Sequence, residues 1–483
     1  MKHRNEQDTY INFLVLKKLI QELKGFSKQS IQNELDLGVL LQEMHEAGFY
    51  LDQAKAFNLY IDAKKHADSF EEQIRHAFPK RSVLVREVSP KETKAGGFSK
   101  AQTKCLGDTY SDAVGGPFSL FEYEDFNIDS PSQRVARLLE RGWKPTTFTK
   151  PSQTHPNGQP KFDADDLEHG DLKTLPKEAL LIGKYLLCRS RERLASQWLD
   201  LVDSKGYVHG RITGLGAWSH RATHTNPNTA NIPNIQFDDA KHPLKGLDGV
   251  FGWECRDCWV VDPRDADEDV ILDADLTAIQ LRAFAHLTED MDYISLVSDP
   301  SVDMHNVHKE YLGGVPRASA KRWLYAFLLG AGNAKLGTLL GGDSKMGREA
   351  ADLFMLKVPG VKKLKEQIIP VWVRQGFLVG LDGRRVPVPS FHLGLAAYLQ
   401  SFEKIVIAHA MIRHIRWAKE NEIPMQYRFW IHDQVVGTVP KDHADACGKA
   451  FVNIVNKVGT DLGSLCPLTA AYNTGMTWAE ASH

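Results

Sequence analysis

From Leu35 to about Phe78, apolar residues return at helical spacing: Leu37, Leu40, Leu41 and Met44 in one run, Phe57, Tyr60 and Ile61 in the next. Gly48 and Leu51-Asp52 interrupt the pattern, which predicts two helices. Between Lys80 and about Phe121 the periodicity is lost, and Gly96-Gly97 and Gly115-Gly116-Pro117 predict loop. Lys150 to Gly170 is a second polar stretch, and Pro176 to Val202 predicts a long helix carrying Leu180, Tyr185, Leu186, Leu194 and Trp198. Strands are predicted at Tyr207-Val208-His209 and at Val270-Ile271-Leu272, which runs into Asp273-Ala274-Asp275. Helices follow over Thr277 to Leu287 and, behind Pro316, over Ala318 to Leu329. Phe429-Trp430-Ile431 and Val435-Val436 enclose His432-Asp433-Gln434, the pattern of two strands around a tight polar turn.

The chain of 483 residues exceeds one ordinary core and suits roughly three subdomains. Its 42% hydrophobic and 25% charged residues are those of a soluble globular protein. No apolar run approaches the ~20 residues of a membrane span, so no membrane partner is expected. Met1 to Thr9 lacks the apolar core of an export signal, and six cysteines fit reduced thiols, so an intracellular location is expected. A net charge of -2 gives no global pull toward nucleic acid. Locally, Lys80, Arg81, Arg86, Lys91, Lys94, Lys100 and Lys104 face only Glu87 and Glu92. That segment is either a solvated excursion or an insertion that grips DNA or a partner.

Phosphoryl transfer between nucleotides calls for two hard cations roughly 3.5 to 4 Å apart, anchored by carboxylates. Asp275 ends an apolar strand and opens a helix, and Asp433 sits at a hairpin tip, so both are at the rim of a buried sheet. Each also has a plain structural reading, as a helix cap and as a turn residue. Arg317, Lys321 and Tyr325 recur at i, i+4 and i+8 on one helix face before Gly330-Ala331-Gly332. That stripe suits a triphosphate on the two cations with base or sugar on the ring, and equally a solvated face with a core tyrosine. Cys255 and Cys258 lack a second close pair for zinc and read as two surface cysteines. His432-Asp433 with His305 and His308 offers a metal-dependent phosphohydrolase reading, but that chemistry places its His-Asp pair on a helix.

Asp275-Leu-Thr-Ala-Ile-Gln280-Leu-Arg282 resembles the first palm motif of family A, polymerase-I type, DNA polymerases. Arg317 to Gly330 resembles their fingers helix, and Ile431-His432-Asp433-Gln434 their His-Asp-Glu hairpin. Two further segments occur in the family's order: Arg221 to Pro233, with Asn228 and Asn231, and Leu381-Asp382-Gly383-Arg384-Arg385 with Gln400. Phe126-Asn127 to Trp143-Lys-Pro-Thr adds a likeness to the replicative polymerases of short-tailed bacteriophages. The resemblance implies an α+β right hand with a helical thumb, an antiparallel-sheet palm and helical fingers. It places an N-terminal segment at 1–35, a thumb at 36–205 with an insertion at about 80–121, palm at 206–300 and 395–483, and fingers at 301–394. It implies a DNA-directed DNA polymerase that extends a primer with deoxynucleoside triphosphates, using two Mg2+ ions for which Mn2+ substitutes. Asp275, Asp433 and the Leu276 carbonyl would hold the ions. Arg317 and Lys321 would take the triphosphate, with Lys321 a candidate proton donor, and Tyr325 and Gln280 would meet the incoming nucleotide. Arg221, Asn228, Asn231, Gln400, His432 and Arg384 would face the primer-template, where minor-groove acceptors shared among base pairs allow a check of geometry. Bacteriophage replication in the cytoplasm of an infected bacterium is the implied setting.

Three positions depart from the family's pattern. Gln280 stands for a glutamate that crowds the sugar 2' position, Leu329 for a tyrosine, and Gln434 for a glutamate beside the metals. The volume of Gln280 predicts retained sugar discrimination, and the amide of Gln434 predicts weaker metal affinity. Only about 35 residues precede the thumb, and Asp166-Leu-Glu168 lies in a polar loop, so no proofreading exonuclease is expected. A separate exonuclease subunit is a candidate partner, with the N-terminal segment as its dock, and a processivity factor is a candidate at 80–121. The alternative is a polymerase-derived DNA-binding scaffold with reduced or no catalysis, in which Gln280 and Gln434 mark decay.

Overall fold

The computed structural model describes residues 2–106, 116–145, 147–149, 152–156, 158–163 and 175–482. It divides into two units, Met1–Tyr60 with Arg193–His483, and Ile61–Glu192. The first opens with α1 (Lys2–Glu22) and α2 (Lys28–Ala47). Ser27 caps α2, its hydroxyl accepting from the Ser30 amide at 2.9 Å, and Gly48 closes it at φ 61°, where glycine carries no Cβ penalty. The apolar stripe is buried as its spacing requires: Leu37, Leu40, Leu41 and Met44 all face the core. After β1 (Phe49–Tyr50), α3 (Gln53–Ala77) crosses the boundary between the units.

The second unit corrects the loop expected after Lys80. Strands β2 (Arg81–Val88) and β3 (Phe118–Glu124) pair antiparallel from Arg81↔Glu124 to Val88↔Phe118, with a register shift between Leu84 and Arg86. Lys80 pairs with Asp125, and Arg81 with Glu124 and Glu140, so these two cations serve the hairpin. Arg86, Lys91, Lys94, Lys100 and Lys104 are exposed. Beyond it come α4 (Pro131–Glu140), the short pair β4 (Thr147–Phe148) and β5 (Pro160–Lys161), and α5 (Lys177–Leu201). Phe78, Phe126, Leu138, Trp143 and Phe162 are buried in this unit, and the Arg137 guanidinium lies 5.4 Å from the Phe78 ring.

The rest of the first unit is built on one sheet. β6 (Tyr207–Val208) pairs with β1, and β7 (Arg211–Thr213) with β8 (Thr223–Thr225). The long strand β9 (Asp269–Leu276) then leads into α6 (Ile279–Thr288), followed by α7 (Met304–Tyr311) and α8 (Arg317–Leu328). Further helices lead to a small hairpin of β10 (Phe377–Val379) and β11 (Arg385–Pro387) and to the 27-residue α9 (Gly394–Glu420). The chain ends its ordered course through β12 (Gln426–Ile431), β13 (Gln434–Pro440), α10 (Ala444–Asp461), β14 (Ala470–Gly475) and α11 (Trp478–Ala481). The sheet runs β12-β13-β9-β14, antiparallel throughout, and α9 packs against α2, α6 and α10 in one continuous apolar core. Cys255 and Cys258, expected at a surface, are both fully buried; they fill space as small apolar side chains. Among the described residues no helix is long and apolar enough to cross a membrane.

Candidate active site

β9 is buried along its apolar length and reaches solvent at Asp275, its seventh residue. The register pairs Asp275 with Gln434, and the Leu276 amide donates to the Asp433 carbonyl at 3.0 Å. Neighbouring strands are about 4.8 Å apart, so this pairing brings the two aspartates to the same rim. The hairpin tip is held with care. His432 takes φ 59° in the two-residue turn closed by Ile431↔Gln434, a conformation that favours glycine. The buried Trp430 indole donates to the His432 carbonyl at 2.7 Å and fixes it there. On the other side Ala278 also turns left-handed (φ 50°), and Arg282 pins this bend by donating to the carbonyls of Thr277 (2.9 Å) and Pro467 (2.6 Å).

The electrostatics set these two aspartates apart from ordinary turn residues. Surrounding protein, then the charges of Asp273 and Glu403, push the Asp275 carboxyl above the usual carboxylate range. Burial, Glu403 and Asp275 do the same to Asp433. Arg256 opposes the rise at Asp275 and Arg221 at Asp433, but among the described residues neither aspartate forms an ion pair with a basic side chain. No cluster of three or more His, Cys, Asp or Glu suited to a metal occurs among the described residues. The donor set at the rim is two carboxylates, oxygen ligands of the kind that a hard cation such as Mg2+ takes together with water.

Gln434 has a partner in the fold that its place in the sequence does not disclose. Its amide donates to both oxygens of Asp273 at 2.8 and 2.7 Å, and the Trp478 indole (3.0 Å) and Ser482 hydroxyl (2.8 Å) donate to the same carboxylate. Asp273 is 5% exposed. A glutamate at 434 would face this buried anion, so the amide complements it and is no simple loss of charge near the rim.

On α8, Arg317 and Lys321 are exposed along one face, and Tyr325 is half-buried. Burial and the nearby charge of Asp433 raise the Tyr325 phenol, which places the inner end of the stripe beside the hairpin. Arg317 is paired with Asp303 at 2.8 Å. Leu329 caps the helix and is exposed.

Toward β8, the Ser219 hydroxyl donates to Gln400 Oε1 at 2.7 Å, and His224 Nε2 donates to the Trp430 carbonyl at 2.6 Å. Burial, Arg221 and His224 hold the His432 imidazole down to about 3, and its buried Nδ1 has no partner among the described residues. The buried Asn228 Oδ1 is likewise unpartnered, while Asn231 is exposed in the turn Thr229–Asn231. Arg384 corrects the primer-template expectation: it is 2% exposed, and its three nitrogens donate to Asp382 (2.9 and 2.6 Å) and Glu34 (2.5 Å), which makes it a buried brace. His308 faces the Tyr293 hydroxyl at 2.8 Å inside the core. Asp166 and Glu168 lie outside the described residues.

The sequence reading missed Glu403. Its carboxylate accepts from Arg221 Nε (2.9 Å) and NH2 (2.7 Å) and from Gln280 Nε2 (2.8 Å). The available signal was an acidic residue in an otherwise apolar stretch, three positions after Gln400.

An antiparallel sheet that presents carboxylates at one rim, with α8 beside it, has the α+β fold of a right-hand polymerase. The chain belongs to DNA polymerase family A, whose model matches residues 99–480. It is 25% identical to the DNA-directed DNA polymerase of Escherichia phage T7, over 99% of this chain and 76% of that one. The values for the enzyme of Enterobacteria phage T3 are the same. The fold is also that of the POL domain of Pol1 from M. smegmatis, solved in complex with DNA primer-template and dNTP. That likeness has a TM-score of 0.70 at 19% identity, covering 93% of this chain and 70% of that one. The chain is accordingly a DNA-directed DNA polymerase.

Proposed function

We propose that this polymerase extends a DNA primer by two-metal-ion phosphoryl transfer centred on Asp275 and Asp433. The observation that carries the reading is the β9–β13 register, which sets an unpaired carboxylate on each of two adjacent segments with Tyr325 beside them. Asp275, Asp433 and the Leu276 carbonyl would hold Mg2+ ions, with Mn2+ as a substitute, and bound ions would supply activation of the primer hydroxyl and charge neutralisation at the departing pyrophosphate. Arg317, once it leaves Asp303, and Lys321 bind the triphosphate, and Lys321 donates a proton to the leaving group. Tyr325 packs on the incoming nucleotide and Gln280 meets its sugar. Arg221, Asn228, Asn231, Gln400 and His432 line the primer-template; the neutral His432 ring, with Nδ1 unpartnered, suits a hydrogen bond to a groove or sugar atom.

In domain terms, 36–205 acts as thumb, 206–300 and 395–483 as palm, and 301–394 as fingers. The chain works without proofreading of its own, in bacteriophage replication within the host cytoplasm. A processivity factor docks at 80–121, where Leu84, Val85, Phe121 and Tyr123 are exposed on the hairpin. A separate exonuclease subunit supplies editing. The test is extension of a labelled primer on a DNA template with Mg2+ and four deoxynucleotides, beside Asp275→Ala and Asp433→Ala. Extension by the unaltered protein and its loss in both variants supports the reading. Tight DNA binding by folded protein without extension favours the scaffold alternative.

A further inference from the structure

Glu403 occupies an unusual place. It sits on α9 among Leu399, Phe402, Ile405, Val406 and Ile407, all buried, and its side chain is 1% exposed. A carboxylate is stable there only if both oxygens find donors, and they do. Oε1 takes the Arg221 guanidinium and Oε2 takes the Gln280 amide, from segments far apart in the chain. Because each oxygen serves one partner, the fork sets the positions of both.

The same contact explains why residue 280 is an amide. A glutamate at 280 would press a second carboxylate against Glu403 in a site that already holds Asp275 and Asp433, with Arg221 the one cation paired with it among the described residues. Gln280 and Glu403 are thus a matched donor-acceptor pair carrying one negative charge. Gln280 lies on the first turn of α6, five residues beyond Asp275, so whatever fixes its amide fixes a wall beside the reacting centre.

We propose that Glu403 is a specificity-determining positioning residue, which holds Gln280 as the surface that meets the sugar of the incoming nucleoside triphosphate and Arg221 toward the primer end. This rests on the polymerase reading above. The pair is coupled, so exchanging its members should preserve it: in Gln280→Glu with Glu403→Gln, the amide at 403 donates to the carboxylate at 280 and its oxygen still accepts from Arg221.

The experiment measures kcat/KM for a deoxynucleotide and its ribonucleotide counterpart on a primed DNA template with Mg2+, together with thermal melting, for the full chain. Gln280→Glu alone should lower deoxynucleotide kcat/KM roughly tenfold, the size expected when a charged hydrogen bond is lost, and the double exchange should recover most of it. Glu403→Ala should narrow the preference for deoxyribose by roughly tenfold, since the wall is no longer held. If that variant melts below the assay temperature, the double exchange still decides. A double exchange no better than Gln280→Glu overturns the proposal, as does an unchanged sugar ratio in folded Glu403→Ala. Failure of the unaltered protein to extend any primer strikes the polymerase reading itself, which separates the two.

Discussion

Asp273 and Asp275 stand two residues apart on β9 and project to the same face of the sheet, yet their surroundings are opposite. The inner carboxylate is enclosed and saturated by Gln434, Trp478 and Ser482, and Arg256 reaches the Ser482 hydroxyl at 2.8 Å behind them. The outer one meets solvent at the rim, with Asp433 and Glu403 close by and, among the described residues, no ion pair to a basic side chain. One strand therefore carries an anion whose requirements are met by protein and an anion whose requirements are left for something else to meet. The first holds the architecture and the second is disposed for chemistry, and a distance of two residues separates the roles.

This contrast can be broken from either end. The largest effect expected is at the rim: Asp275→Asn or Asp433→Asn should lower the primer-extension rate by at least ~10³-fold, the scale of a lost transition-state charge contact. The same variants should melt higher than the parent in metal-free buffer, because the repulsion within the cluster is relieved. At the inner end, Asp273→Ala should destabilise the fold by about 3 kcal/mol in denaturant titration, since three donors, the buried Trp478 indole among them, lose their acceptor. Gln434→Glu should cost about 2 kcal/mol through repulsion with Asp273, and Asp273→Asn in the same chain should recover most of it. Recovery absent from the double variant would show that Gln434 acts on the rim instead. The smallest effect is at α8, where Asp303→Asn releases Arg317 and should lower the nucleotide KM by about twofold, the modest size of a solvent-exposed pair.

Much of this organisation was legible in the sequence. The apolar run ending in Asp275, the two-strand pattern around His432-Asp433 and the stripe on Arg317, Lys321 and Tyr325 each predicted an element the fold contains. Local pattern suffices where an element's partner is near or its period is strong. It fails where a residue's meaning depends on register. Gln434 looked like a missing charge because nothing local says that its amide reaches diagonally to Asp273. Arg384 was expected to face the primer-template, since nothing local says that Glu34, from a segment far away in the chain, closes over it beside Asp382. The β2–β3 hairpin was hidden because residues 89–117 intervene, too long a connection for any turn signal to join the strands, and because the register shift at Leu84 breaks the alternation.

The sheet order has a consequence for how the protein comes into being. β9 lies between β13 and β14, so both of its neighbours are synthesised more than 150 residues after it. Until β13 emerges Asp433 has no fixed place, and until β14 emerges the strand that bears Asp275 has an open edge. Formation of the centre is thus a late event on the ribosome, governed by loop closure over long sequence separation. A nascent chain with α8 clear of the ribosome and β13 not yet made would display Arg317 and Lys321 on one helix face before Asp433 exists.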